Sequence, residues 1–373
     1  MKKYLILSLT TLLLLLTFLG YKFFLAEPEV IKIGLLVQLS GPGSELGVNV
    51  RNGVRIAIKE INQQGGIKGK KIVLLVEDNK QDPALAQKLM LKLIQQKVKA
   101  IIGPITNNIA LKIVPLANKH QVILLSPTVS TPLLAEKDDY FFRLESPSTE
   151  EARQLAQFAR NFLKLNKVGI LWDAQNQAYT YPYQKTFAQE FTQLGGKIAF
   201  NLSYKDNYQH ISSTPLSHFS SLTPKDGLLF ISNDQDLLKG AEFLISPAPI
   251  ILSAGWAMTQ TIKINYPILF RKKIFFASTS YLKKTVKEKQ FDQIYLNNYG
   301  RLPNFAAYRG YDSLKVLAKA LSLGDDLKKE LLKIKNFPGL QYKITFNRFG
   351  DLNLPVHIYT LKNEDFSRVE YGR

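Results

Sequence analysis

The sequence predicts an α/β protein of two similar doubly wound lobes, each on a parallel central sheet, with a ligand cleft between them. Three observations carry that fold class. Short β-branched runs alternate with amphipathic helical stretches after residue 30, as parallel strands with helices on both faces require. The alternation restarts near residue 145 and gives a second set of comparable length. The 373 residues, 46% hydrophobic and 21% charged, are long enough for two cores and too apolar for a disordered chain.

The elements follow in order. A buried strand is expected over 31–38, then the turn Ser40-Gly41-Pro42-Gly43. Val50, Val54, Ala57, Ile58 and Ile61 share the face of a helix that Gly65-Gly66 ends. A strand over 71–77 precedes a helix from Pro83, where proline's missing N–H costs nothing, with Ala86, Leu89, Met90 and Leu93 inward. A third strand covers 100–102, a helix runs to Lys119, and a fourth strand covers 122–126. Ser148-Thr149-Glu150-Glu151 has capping-box spacing and opens a helix with Leu155, Phe158, Ala159 and Phe162 inward. Further strands are expected over 168–172, 198–204, 227–232 and 250–253, with a helix after each. The tail holds helices over 306–323 and 325–335 and strand-like runs over 342–346 and 356–361.

Charge and composition exclude whole classes. The chain has no cysteine, so a disulfide framework, thiolate metal site, cysteine nucleophile and thiol-linked lipid anchor are ruled out. The formal net charge of +19 suggests nucleic acid, but Lys2 and Lys3 precede an uncharged apolar run over 4–21, the pattern of an export signal. The run is near the length that spans a bilayer if the helix continues to Ala26 with Lys22 snorkelling, and small-residue cleavage sites are poor because Phe24 or Phe18 falls at the outer position. Residues 1–26 therefore read as a signal peptide or an uncleaved membrane anchor. Either way the rest lies in the periplasm or otherwise outside the cytoplasm, where nucleic-acid partners are absent. The remaining lysines form a dispersed, solvated surface.

Catalytic motifs are missing. His120, His210, His218 and His357 lack metal-ligand spacing, and neither a nucleophile elbow nor a phosphate loop is present. Gly41-Pro42-Gly43-Ser44-Glu45-Leu46-Gly47 approximates a dinucleotide fingerprint, but its third glycine comes one residue late. The sequence thus predicts no enzymatic activity, cofactor or metal.

Several segments resemble the branched-chain amino-acid (Leu/Ile/Val) binding proteins of ABC transporters. They are the run over 31–42, Asn52-Gly53 through Glu60-Ile61-Asn62, Gly65-Gly66-Ile67-Lys68-Gly69, Val76-Glu77-Asp78 with Asp82-Pro83, and Ile101-Ile102-Gly103-Pro104. Leu125-Ser126-Pro127, Phe142-Arg143, Tyr308 with Tyr311-Asp312, Phe337-Pro338-Gly339-Leu340, Phe346 and Gly350-Asp351 continue the pattern in order. The resemblance implies the type I periplasmic-binding fold with three interlobe crossovers near residues 145, 279 and 340. It implies a first lobe of 31–145 plus 281–339 and a second of 146–280 plus 340–373.

The site residues also follow from the resemblance. A ligand carboxylate would be held by hydroxyls and backbone N–H groups on Thr106-Asn107-Asn108 and Ser126-Pro127-Thr128-Val129-Ser130, which makes Asn107, Thr128 and Ser130 the first-lobe candidates. Ordinary helix capping is the alternative role for such residues. In the second lobe Tyr179 matches a stacking aromatic, with Tyr181 and Tyr183 as alternatives. Asn233 aligns with a family tyrosine, and Trp256 would form an apolar or stacking wall. The stretch Leu252-Ser253-Ala254-Gly255-Trp256 lacks the carboxylate that amino-acid-specific members set against the ligand ammonium, and Asp234 or Asp236 could replace it from a neighbouring loop. A buried ammonium without a partner would cost several kcal/mol. The expected ligand is therefore a small polar molecule that is amino-acid-like, a carboxylate or an amide, and an aromatic compound fits as well. The expected partner is an ABC permease or other membrane protein. An anchored sensor or accessory interaction protein with no transport role is the second function class.

Overall fold

Strand β1 (Val30–Val37) buries Ile33, Leu35, Leu36 and Val37 completely, as a strand covered by helices on both faces must. The computed structural model describes residues 29–41, 43–204, 221–243, 249–265, 273–279 and 284–371, and the expected export segment 1–26 lies outside them. β1 leads into α1 (Glu45–Gln63), β2 (Lys71–Asp78) and α2 (Pro83–Gln95), whose first turn is closed by Asp82 accepting the Leu85 N–H at 2.9 Å. Then come β3 (Ala100–Ile102), α3 (Asn107–His120), β4 (Ile123–Ser126) and β5 (Phe141–Arg143). These strands form one parallel sheet in the order β2-β1-β3-β4-β5. Apolar clusters lie on its two faces, one around Leu35, Ile102 and Leu125, the other around Leu36, Ile101 and Leu124, which is the alternation a two-sided sheet produces.

The second sheet repeats the plan. Helix α4 (Thr149–Gln157) continues into a π-helical turn (Phe158–Phe162), followed by β6 (Lys167–Asp173), α5 (Gln177–Gln193), β7 (Lys197–Tyr204) and β8 (Gly227–Ile231). Next are α6 (Asp234–Phe243), β9 (Ile250–Ala254), α7 (Gln260–Ile264) and β10 (Ile274–Ser278). The helix expected after β7 falls outside the described residues. The tail supplies α8 (Val286–Tyr299), α9 (Phe305–Leu323), α10 (Leu327–Leu332), the short pair β11 (Phe337–Pro338) and β12 (Lys343–Ile344), and finally β13 (His357–Lys362) and β14 (Asp365–Arg368). The larger sheet runs β14-β13-β10-β9-β8-β6-β7, parallel from β7 to β10, with the last two strands antiparallel.

Helices α8 and α9 return to the first sheet. α9 lies against α1 so closely that a Cβ at Gly53 would sit 2.0 Å from the Ala307 carbonyl oxygen, and one at Gly310 would sit 2.4 Å from that of Val50. Only glycine permits that approach from both sides. The chain passes between sheets after β5, after β10 and before β13. Ile344, Phe346, Leu352 and Leu354 join the core beneath the first sheet, although residues 340–354 were expected with the second lobe.

Four local readings change, the first being Phe162, expected inward but 48% exposed. The Ser148 capping box does not form: the Ser148 side chain makes no capping bond, and its N–H is already given to the Ser130 carbonyl oxygen at 2.8 Å. α8 escapes the apolar pattern because its buried face includes Glu288 and Asp292 beside Phe291 and Tyr295. The tail elements 325–335 and 342–346 shrink to Leu327–Leu332 and Lys343–Ile344.

Candidate ligand-binding site

In both sheets the strand order reverses beside the first strand of the lobe, so a crevice opens at the carboxyl ends, where open α/β sheets bind ligands. In the first lobe the loop after β3 is drawn over the sheet at Gly103. Its φ is +125°, and a Cβ there would lie 2.1 Å from the Leu36 carbonyl oxygen. That places the Pro104 and Ile105 carbonyls against the loop after β4. Ser126 Oγ donates to Pro104 O at 2.8 Å and Thr128 Oγ1 to Ile105 O at 2.7 Å.

Asn107, the first residue of α3, is 5% exposed, and its Oδ1 accepts the N–H groups of both Ser130 and Thr131 at 3.0 Å. The amides of Thr128 and Val129 are taken by Ser126 Oγ at 3.3 and 3.0 Å. The loop therefore satisfies its own amides, and Thr128 has already spent its hydroxyl proton. Asn107 Nδ2, the Ser130 hydroxyl and the first turn of α3, whose N-cap Thr106 makes no side-chain capping bond, are not used by this loop. The fully buried Arg143 guanidinium fixes the loop from behind. It pairs with Asp351 at 2.7 Å and donates to the Thr131 carbonyl oxygen at 2.7 Å.

The second lobe meets this loop directly. Asn108 Nδ2 donates to the Gln175 carbonyl oxygen at 2.7 Å, and Asn108 Oδ1 accepts the Ala178 N–H at 3.3 Å. One residue on, Tyr179 is buried. Its ring centroid lies 5.6 Å edge-on from Trp256 and 5.7 Å from Tyr183, and its hydroxyl is 3.5 Å from Glu151 Oε2. Glu151 Oε1 faces the Thr279 N–H at 3.3 Å. Asn107 to Ser130, Ser130 to Ser148, Glu151 one turn further, Tyr179, and Ala178 back to Asn108 thus form a closed ring of contacts across both lobes.

Asn107, Thr128, Ser130 and Tyr179 lie in this ring or on its loops, and Trp256 packs on its aromatic side. Asn233 spends its amide within its own lobe, giving Nδ2 to Asp236 at 3.1 Å and accepting the Asp236 N–H at 2.9 Å. Asp236 also takes the Tyr204 hydroxyl at 3.0 Å, and Asp234 takes that of Thr259 at 2.5 Å, so both alternative carboxylates are engaged. Tyr181 is exposed, whereas the Tyr183 hydroxyl is buried and unpartnered.

Sequence reasoning missed Glu151, which the capping-box spacing assigned to a helix end, and Asn108, which sat unsingled in the loop. Glu151 shares the passage between sheets with Glu145. Glu145 accepts the Thr279 hydroxyl at 2.6 Å and lies 3.5 Å from the fully buried Arg309, whose guanidinium stacks 4.1 Å over Tyr342. Burial, with Glu145 alongside, pushes the Glu151 carboxyl up to about 8. The arrangement brings polar side chains of one lobe, aromatic rings of the other and the Glu151 carboxyl together at the crevice.

A two-lobed fold closing on such a site defines a solute-binding protein. Residues 30–218 match the periplasmic binding protein family, and the chain belongs to it. The Leu/Ile/Val-binding protein BraC3 of Rhizobium johnstonii is 28% identical over 144 residues, 38% of this chain and 39% of that protein. A Leu/Ile/Val-binding protein homolog of Brucella melitensis is 28% identical over 197 residues, 52% of this chain. These alignments span less than half of either relative's length, 39% and 48%. Another Leu/Ile/Val-binding protein homolog, from Brucella suis, is 24% identical over 346 residues, covering 87% of this chain and 88% of its own. Among solved structures, the branched-chain amino-acid transporter binding protein LivJ of Streptococcus pneumoniae, in complex with isoleucine, superposes with a TM-score of 0.78 at 22% identity over 91% of this chain and 99% of its own. A solute-binding protein of R. palustris in complex with benzoate gives 0.79 at 16% identity, over 91% and 96%. These likenesses establish the type I periplasmic-binding fold.

Proposed function

We propose that this chain is an extracytoplasmic solute-binding protein that closes its lobes on a small polar ligand bearing a carboxylate or amide and presents it to an ABC-type importer. The observation that carries this reading is the closed ring of contacts itself: two loops at the crevice of one sheet meet the start of α5 of the other through Asn108, with Ser130 joined to the ring through Asn107 and Ser148. A ligand gripped from both sides lowers the free energy of the closed state relative to the open one. The relatives' names, which specify Leu, Ile and Val, place amino acids first among candidates. Asn107, Ser130, Tyr179 and Trp256 are the proposed contacts, with Thr128 and Asn233 supporting them from their loops. The proposed lobe boundaries are the passages after β5, after β10 and before β13. The reading involves no catalysis, because the ring holds no activated nucleophile beside a base.

Thermal melting with a panel of amino acids, carboxylates and amides tests it. A true ligand at about a hundred times its Kd adds roughly 2.7 kcal/mol of stability. A panel in which no compound shifts melting, in wild type or in Ser130→Ala, removes the reading. An anchored sensor is the second reading, favoured by the apolar run over 4–21 in a chain without cysteine. An N-terminus of the mature protein near residue 27 argues for the transport component, and retention of residues 1–26 for the sensor.

A further inference from the structure

The five strands of the first sheet are parallel, so every loop that enters a strand lies at one edge and every loop that leaves one lies at the other, with the crevice. The entering edge gathers lysines that the sequence scatters over 68–119. Lys68, Lys70 and Lys71 lead into β2, Lys97 and Lys99 into β3, and Lys119 into β4, and all six are exposed. Strand register keeps them together. Lys71 stands beside Val30, the first residue of β1, and the Lys99 N–H donates to the Lys32 carbonyl oxygen at 2.8 Å. Lys70 pairs with Glu29, and with Glu27 counted from the sequence six lysines stand against two carboxylates. Beyond β4 the edge is mixed, with Asp138 paired to Lys328. The leaving edge has the opposite sign. Its loops, 38–44, 79–82, 103–106, 127–131 and 144–148, hold Lys80 as their one basic residue, against Asp82, Glu145 and, at the end of β2, Asp78.

The chain reaches the entering edge from the uncharged apolar run over 4–21. Residues 22–29 separate the run from β1, a span of at most about 29 Å when fully extended. Lys164, Lys197 and Lys225 stand at the corresponding edge of the second sheet, which the chain reaches only after residue 145. We propose that the strand-entry edge of the first lobe, formed by Lys68, Lys70, Lys71, Lys97, Lys99 and Lys119, is a docking surface for an anionic phospholipid bilayer. A membrane is the partner that the two features share. An apolar run of this length suits hydrocarbon, and each lysine beside an anionic leaflet raises partitioning by about fivefold. The inference goes beyond solute binding and does not depend on it. It fixes an orientation, because the crevice lies at the far end of strands of up to eight residues, roughly 25 Å from the lipid. The first lobe rests on the bilayer, its acidic leaving edge points away from the headgroups, and the second lobe is free to close over it.

The test uses the full chain on vesicles of phosphatidylcholine and on vesicles that also contain phosphatidylglycerol, with the acetylation rate of each lysine read by mass spectrometry. Phosphatidylglycerol should slow labelling of Lys71, Lys97 and Lys99 by about fivefold, and high salt should reverse the effect. Lys164, Lys197 and Lys225 should label at the same rate on both kinds of vesicle. The variant Lys71→Gln, Lys97→Gln, Lys99→Gln should lose the protection that remains readable at Lys68 and Lys119, whereas Lys164→Gln, Lys197→Gln, Lys225→Gln should keep it. Equal slowing at both edges means that net charge alone attracts the chain, and it overturns the inference. Labelling that phosphatidylglycerol leaves unchanged overturns it too, including the case in which soluble polyglutamate protects the edge and vesicles do not, the mark of an acidic protein partner. Neither result touches solute binding. Should the first variant not fold, the wild-type comparison of the two edges still decides.

Discussion

Asn108 of the first lobe holds two backbone groups of the second at once, donating to the Gln175 carbonyl oxygen at 2.7 Å and accepting the Ala178 N–H at 3.3 Å. Both partners flank the start of α5, so the clasp sits one residue from Tyr179 and joins closure to the aromatic wall. An asparagine bridging backbone to backbone reads no side chain on the opposite lobe, so it stabilises closure without selecting the ligand.

Replacing Asn108 with alanine therefore loosens the closed state and leaves specificity alone. Two hydrogen bonds at ordinary net strength are worth about 1–2 kcal/mol, a factor of about 5–30 in the closed population. Kd for every bound compound should rise by a common factor in that range, measured by calorimetry. A change in the rank order of ligands would show that Asn108 touches the ligand itself.

Asn107 and Ser130 separate in the opposite sense. Asn107→Ala strands the N–H groups of Ser130 and Thr131, each costing roughly 1–3 kcal/mol when buried without a partner, so the empty protein should melt lower. The Ser130 hydroxyl accepts and donates nothing within the loop, so Ser130→Ala should leave the empty protein's melting temperature unchanged while lowering the ligand-induced shift by about 0.5–1.5 kcal/mol. Equal loss of unliganded stability in both variants would contradict this division.

Arg143 lies beneath the same loop. Its guanidinium is fully buried between Asp351 and the Thr131 carbonyl, and Asp351 also accepts the Glu136 N–H at 2.9 Å. Arg143→Met removes the cation and leaves a buried carboxylate, a loss of about 3–5 kcal/mol. Urea unfolding should show it. The double variant Arg143→Met, Asp351→Leu should recover much of that loss, since the unpaired charge is the larger part of the cost.

The residues that could be read from sequence are those whose local pattern and tertiary role agree. β1 to β4 are short buried runs between turn signals, and the loops after β3 and β4 follow from them. Where a long-range bond outbids the local one, the reading fails. Ser148-Thr149-Glu150-Glu151 has the spacing of a cap, but Ser130 takes the Ser148 N–H and Tyr179 and Thr279 draw Glu151 inward. No window of sequence contains residues 130, 148, 179 and 279 together. β5 is three residues beside Asp138 and Asp139, and α8 buries Glu288 and Asp292 through bonds to Thr285, Tyr308 and Lys284, so neither carries a clear apolar period.

The elevated acid at Glu151 also sets how stability depends on pH. Its carboxyl is raised by burial and by Glu145 to about 8 in the folded protein, against 4.5 for an ordinary glutamate. Between those values the folded state holds a proton that the unfolded chain has released. The contribution is thus full at low pH, declines as pH rises through the window and is lost above about 8, with a slope of at most about 1.4 kcal/mol per pH unit. Asp312, pushed up to about 7 mainly by burial, acts in the same direction over a narrower window. Urea unfolding of the ligand-free protein at several pH values should therefore show stability falling from weakly acidic to weakly alkaline pH. Glu151→Gln, which carries no titrating proton, should flatten the upper part of that slope, and Asp312→Asn the lower part. Stability that rises through this range, or a Glu151→Gln slope identical to wild type, would mean that Glu151 is ionised in the empty cleft.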